Sequence, residues 1–209
     1  MTTFPPISPR LQKGSIVAID QVSKQQTEIP FQYNPDTLTR RLTAQTASGN
    51  YDRSEAFRLK GPPEETISLE IEIDATDLLE VADNDALQNG IYPRLAALEL
   101  LLYPQSQVVI SNETLANQGL IEVVPMEAPL TLLVWGTKRT LPVRLTSFSI
   151  TEEAFDPDLN PIRARVTLEL MVLNYMDLGF QSDGGQIFLA HQKQKEQMAK
   201  KNSPGNSFI

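Results

Sequence analysis

The sequence predicts a mainly β fold with packed helices (β+α), and three observations carry that reading. Ile67, Leu69, Ile71 and Ile73 alternate with Ser68, Glu70, Glu72 and Asp74, the period-two pattern of a strand with one face in a core and the other in water. Val166, Leu168, Leu170 and Val172 repeat the pattern against Thr167, Glu169 and Met171. Between these runs, Pro93 to Tyr103 carries Leu95, Leu98, Leu101 and Leu102 as a helical stripe, with proline near its start and Pro104 at its end, as a helix that packs across strands requires.

The remaining elements follow in chain order. Pro5, Pro6 and Pro9 lack backbone donors and favour an extended arm over residues 1–13. Ser15 to Ile19 reads as a first strand, and Ile29 to Tyr33 as a second, ended by the turn formers Asn34-Pro35-Asp36. Leu38, Arg40, Leu42 and Ala44 alternate with Thr39, Arg41 and Thr43 in a third. The polar stretch from Thr46 to Lys60 reads as a loop before Gly61-Pro62-Pro63. Asp77 to Leu87 predicts a short helix capped by Thr76 or Asp77.

Gln107 to Ile110 and Leu120 to Val124 are short strand candidates, and Leu130 to Trp135 is a continuous apolar strand ended by Gly136. Val143 to Thr151 and Arg163 to Leu173 flank a turn-rich connection from Phe155 to Pro161, which predicts a long hairpin. Gln186 to Lys201 contains no Pro or Gly and predicts a basic-ended helix, followed by a polar tail. The expected organisation is an arm over 1–13, a body over 14–178, and a helix with tail over 179–209.

Bulk properties narrow the function. A chain of 209 residues buries roughly 70% of its unfolded surface and needs no staples. The excess of 26 acidic over 18 basic residues gives a net charge of −8, which repels nucleic acid and anionic membranes. Cysteine is absent, so disulfides, thiolate metal sites and cysteine nucleophiles are excluded. Neither a signal-peptide pattern nor an apolar run of about 20 residues is found, so the expected site of synthesis is the cytoplasm, with no membrane insertion.

Candidate chemistry is sparse. The single histidine, His191, has no Asp or Glu three or four positions away, and predicts a surface side chain. Glu152 and Glu153 fall on opposite faces of a strand, so with Asp156 and Asp158 they read as solvated hairpin charges. Asp74-Ala75-Thr76-Asp77 lacks the rest of a calcium-loop pattern. No phosphate-cradling glycine loop or nucleophile elbow occurs. No catalytic residue, cofactor or metal ligand is therefore assigned, and the chain is not expected to be an enzyme. Trp135 fits the rim of a core or an anchor between subunits.

An ordered set of motifs goes further. It comprises Ile29-Pro30-Phe31-Gln32-Tyr33-Asn34-Pro35-Asp36-Thr37-Leu38, Leu98-Glu99-Leu100-Leu101-Leu102-Tyr103-Pro104, Trp135-Gly136, Leu141-Pro142-Val143-Arg144-Leu145 and Pro161-Ile162-Arg163-Ala164-Arg165-Val166. In this order the set resembles the tube-domain family of contractile injection systems, found at the N-terminus of the LysM-bearing baseplate protein of phage-tail-like particles. The resemblance spans Gly14 to about Leu178.

It implies a tail-tube-like antiparallel β-barrel or sandwich with one central helix, six copies of which form a ring. Implied partners are the inner tube protein, the hub or spike, and other baseplate or sheath proteins, in a particle that is released or membrane-anchored. The implied role is an adaptor between tube and baseplate hub, with a tube initiator or an end cap as alternatives. Members of the family often continue into a LysM module, whereas residues 179–209 read as a helix and tail, so no function of that module is carried over. Interface candidates are Arg40, Arg41, Trp135, Phe155, Arg163 and Arg165, and the long hairpin and the Thr46–Lys60 loop are expected to contact neighbours. The rival from another class, a carbohydrate-binding β-sandwich, would expose several aromatics, and this chain has one Trp and 7% aromatic residues.

Overall fold

The computed structural model describes residues 12–20, 24–46, 57–118 and 128–202. Their strands are β1 (Ser15–Ile19), β2 (Gln26–Pro30), β3 (Leu38–Thr43), β4 (Glu64–Asp74), β5 (Leu130–Val134), β6 (Thr140–Phe155) and β7 (Pro161–Val172). Helices are α1 (Thr76–Glu80), α2 (Asn84–Asn89), α3 (Tyr92–Glu99), α4 (Ser106–Asn117), α5 (Tyr175–Leu178) and α6 (Asp183–Lys201). All strands join one antiparallel sheet in the order β2-β1-β5-β6-β7-β4-β3.

The two alternating runs set the centre of this sheet. Ile67, Leu69, Ile71 and Ile73 of β4 and Val166, Leu168, Leu170 and Val172 of β7 are all buried, and the register places Leu69 opposite Leu168 and Ile71 opposite Val166. Each strand thus commits its apolar set to the same face, where a one-residue slip would expose all of it. Leu95, Leu98 and Leu101 join that core from α3 and the turn after it.

The sheet is open, not a closed barrel or a two-sheet sandwich: among the described residues β2 and β3 each pair on one side only. It is nevertheless strongly curled. Seven residues, Phe31–Thr37, connect the two edge strands, and fully extended they reach about 28 Å. Six strand spacings laid flat need about 29 Å. The connection is also bent inward: Phe31 is buried, and the Gln32 amide both donates to the Asp74 carbonyl at 2.7 Å and accepts from the Asp74 N–H at 3.0 Å. The edges are therefore drawn toward each other. Register slips at Thr146 and Glu153 of β6 supply the bending that bulges give.

Several expectations are corrected. Gln107–Ile110 lies inside α4 rather than in a strand: the run from Ser106 to Asn117 has no Pro or Gly, so the local β preference of Val108, Val109 and Ile110 yields to helix continuity. The second strand is Gln26–Pro30 and stops at Pro30, with Phe31 turning into the core. The single helix over 77–87 is two, because Ala82 adopts φ 53° and the Asp83 side chain caps α2 by accepting from the Ala86 N–H. Neither Thr76 nor Asp77 caps α1; the Asp74 carboxylate accepts from Thr76 instead. Leu102 is half exposed, since α3 ends at Glu99 and Leu101 takes the inward position. Among the described residues there are six helices, where the residue patterns led to the expectation of three and the resemblance implied one central helix. The Leu120–Val124 candidate, most of the arm, most of the Thr46–Lys60 loop and the end of the tail lie outside the described residues.

Candidate functional site

Two features stand out among the described residues: the edges β2 and β3, each paired on one side, and a charged cluster under α6. At the β2 edge the hydrogen-bond phase can be worked out. Phe31 donates to the Gly14 carbonyl and Asp20 to the Gln25 carbonyl, so in the alternating antiparallel pattern Ile29/Ile16 and Thr27/Ala18 are also bonded pairs. The N–H groups of Gln26 and Glu28 consequently point away from β1, and Pro30, at the next outward position, has none. At the other edge β3 carries exposed Arg41 and Leu42.

The charged cluster starts from register. Glu65 precedes Ile67 by two, so β4 aims its carboxylate into the core, where the side chain is only 4% exposed. The sequence pattern begins at Thr66 and misses it. An unpaired carboxylate there would cost several kcal/mol, and two cations pair with it. The Arg40 guanidinium reaches it at 2.5 Å, the Lys195 ammonium of α6 at 3.5 Å, and although burial pushes its pKa up, these contacts hold it below the ordinary carboxylate value. Arg40 is thus engaged within its own chain.

His191 sits one turn before Lys195 on α6, below Phe188 in the same inward stripe. It is 8% exposed, not a surface residue, and neither ring nitrogen has a hydrogen-bond partner. Burial first, then the charges of Lys195, Arg139 and Arg40, lower its pKa against the opposing pull of Glu65. The missed signal is spacing: Gly184, Phe188, His191 and Lys195 fall at i, i+4, i+7 and i+11, a helix face.

Arg139 closes the cluster after a tight turn. Gly136 at φ 65° lets the Trp135 N–H donate to the Arg139 carbonyl at 2.7 Å, and the Trp135 ring packs 6.5 Å from Phe31. Trp135 is therefore a partly buried rim-of-core residue. Arg40, Trp135, Lys138, Arg139, His191 and Lys195 line a pocket of about 280 Å³.

The remaining candidates lie elsewhere, toward the hairpin end. Arg163 donates to the Asp74 carboxylate at 2.7 Å and lies 3.8 Å from Glu72. Burial opposes Asp74 ionisation, but bonds from Thr76 and Arg163 outweigh it and lower the pKa. Arg165 pairs with Glu153 at 3.2 Å. Phe155 is half exposed beside Leu159, which is 74% exposed at φ 67°. The tip between them is fixed by Asp156, whose carboxylate accepts from the N–H groups of Asp158 and Asn160.

No group of three or more potential metal ligands occurs among the described residues, and no helix among them is long and apolar enough to cross a membrane. The sequence profile of a family described as contractile injection system tube protein matches residues 10–175. No curated protein matches the chain.

Proposed function

Because the chain belongs to the contractile injection system tube protein family, we propose that it is a non-enzymatic structural subunit whose copies form a ring, six to the turn, joining the inner tube to the baseplate hub or spike. The observation that supports this reading best is the open sheet with single-sided β2 and β3. Unpaired strand edges are templates for further pairing, and in a closed cyclic assembly one edge of each copy meets the other edge of the next. Exposed Phe155 and Leu159 at the hairpin tip suit contact with an adjoining ring. Assembly in the cytoplasm precedes release or membrane anchoring of the particle.

The test is electron microscopy of particles carrying a gold-labelled copy of this chain, and of the purified protein mixed with its tube protein. Label at the tube–baseplate junction and rings on the grid are the expected results. Label at the distal tip would replace the adaptor role with an end cap, and a monomer absent from particles would refute both.

A further inference from the structure

The pocket under α6 is cationic far beyond what Glu65 needs. Four cations line it, Arg40, Lys138, Arg139 and Lys195, against one carboxylate that Arg40 and Lys195 already satisfy. Among the described residues Lys138 and Arg139 form no ion pair within 4 Å. Such a surplus stands on a chain whose net charge is −8. Gathering like charges costs energy unless an anion offsets it, and Arg139 is repelled by Arg40 while Glu65, already shared by Arg40 and Lys195, attracts it.

An independent observation points to the same occupant. His191 lines this pocket, is 8% exposed, and has both ring nitrogens without a partner. Buried polar atoms are rarely left so, and a neutral imidazole has one N–H to donate. The groups that face it are Lys195 on its own helix, Glu65 on β4, Arg40 on β3, and Lys138 and Arg139 on the turn before β6.

We infer that this pocket binds a small oxyanion, a carboxylate or a phosphate group, with Arg139 and Lys138 as its charged ligands and His191 as a hydrogen-bond donor. A volume of about 280 Å³ admits such a group with room for its remainder or for hydrating water. Trp135 forms a flat wall beside it. The site goes beyond the assembly reading and does not depend on it.

His191 is the only histidine, so its imidazole resonances report the pocket without ambiguity. The full chain is titrated with sodium phosphate and, separately, sodium acetate, against sodium chloride at matched ionic strength. Saturable movement of the His191 signals is expected, and a bound anion raises the His191 pKa by about half a unit or more. Arg139→Gln is expected to weaken the response on the order of tenfold, the worth of one charge-assisted bond. A purely structural role is excluded if that variant keeps its thermal midpoint, as removal of a residue facing Arg40 predicts. Should Arg139→Gln lose its fold, Lys138→Gln, at an exposed position, decides by the same titration. Saturation at lower phosphate than acetate assigns a phosphate group; the reverse assigns a carboxylate. A response equal to that of chloride, or full saturable binding in the variant, overturns the inference.

Discussion

Gly90 sits against Pro161 so closely that a Cβ on the glycine would stand 2.2 Å from the proline carbonyl oxygen. The neighbouring Ile91 N–H donates to that same oxygen at 2.8 Å. One carbonyl thus fastens the α2–α3 junction to the start of β7, and Gly90 takes φ 56° and ψ −127° to permit it.

Gly90→Ala is expected to destabilise the protein by at least about 2 kcal/mol, through backbone strain and a collision that the rigid hairpin cannot relieve. Chemical denaturation measures this. An unchanged midpoint would mean that the junction is not held as described.

Arg40→Met leaves the Glu65 carboxylate with Lys195 alone. The expected loss at neutral pH is about 2–3 kcal/mol, below the roughly 3–5 kcal/mol of leaving a buried charge with no partner, because Lys195 remains. Because Glu65 has a depressed pKa in the fold, its contribution is present above its ordinary 4.5 and is lost as pH falls through the folded value. The difference between wild type and variant therefore shrinks in acid, and parallel urea titrations at pH 7 and pH 4 test both statements.

His191 is held neutral, with its pKa below the ordinary 6.5. The unfolded chain takes up its proton first, so stability falls as pH drops below about 6.5 and the slope ends at the folded value. Calorimetry between pH 7 and pH 5 should show a declining midpoint in the wild type, above the range where carboxylates titrate. His191→Leu should flatten that decline, and an unaltered slope would assign it to another group.

Glu28→Pro removes an N–H that points outward from β2 and spares the bonds to β1. Its cost to the folded subunit is expected to stay within about 1 kcal/mol, while ring formation with neighbours is lost. Mass photometry of assembled particles against thermal melting of the subunit separates the two effects. Rings that form as readily as before would exclude β2 from subunit pairing.

Much of the fold is legible in the sequence where burial is one-sided. β4 and β7 announce themselves because each alternates apolar and polar residues over four full repeats. β2 is displaced from its expected place because an edge strand of exposed Gln26, Thr27 and Glu28 carries no apolar signature, while the apolar signal at Phe31 belongs to a turn plunging into the core. The charged cluster was less readable. Glu65, Arg40, Arg139 and Lys195 are brought together by sheet register and curl across separations of 25 residues and more, and no local pattern encodes that meeting. His191 could have been found, since its spacing from Phe188 marks the inward face of α6 whatever its charge partners.

The seven-residue connection between β2 and β3 has a mechanical consequence. Its inward fold acts as a latch: the sheet cannot flatten or unroll without first breaking the Gln32–Asp74 bonds and pulling Phe31 out of the interior. A load applied to the two rims is therefore met first by these non-covalent fastenings, and the backbone of the connection comes under tension only after they release.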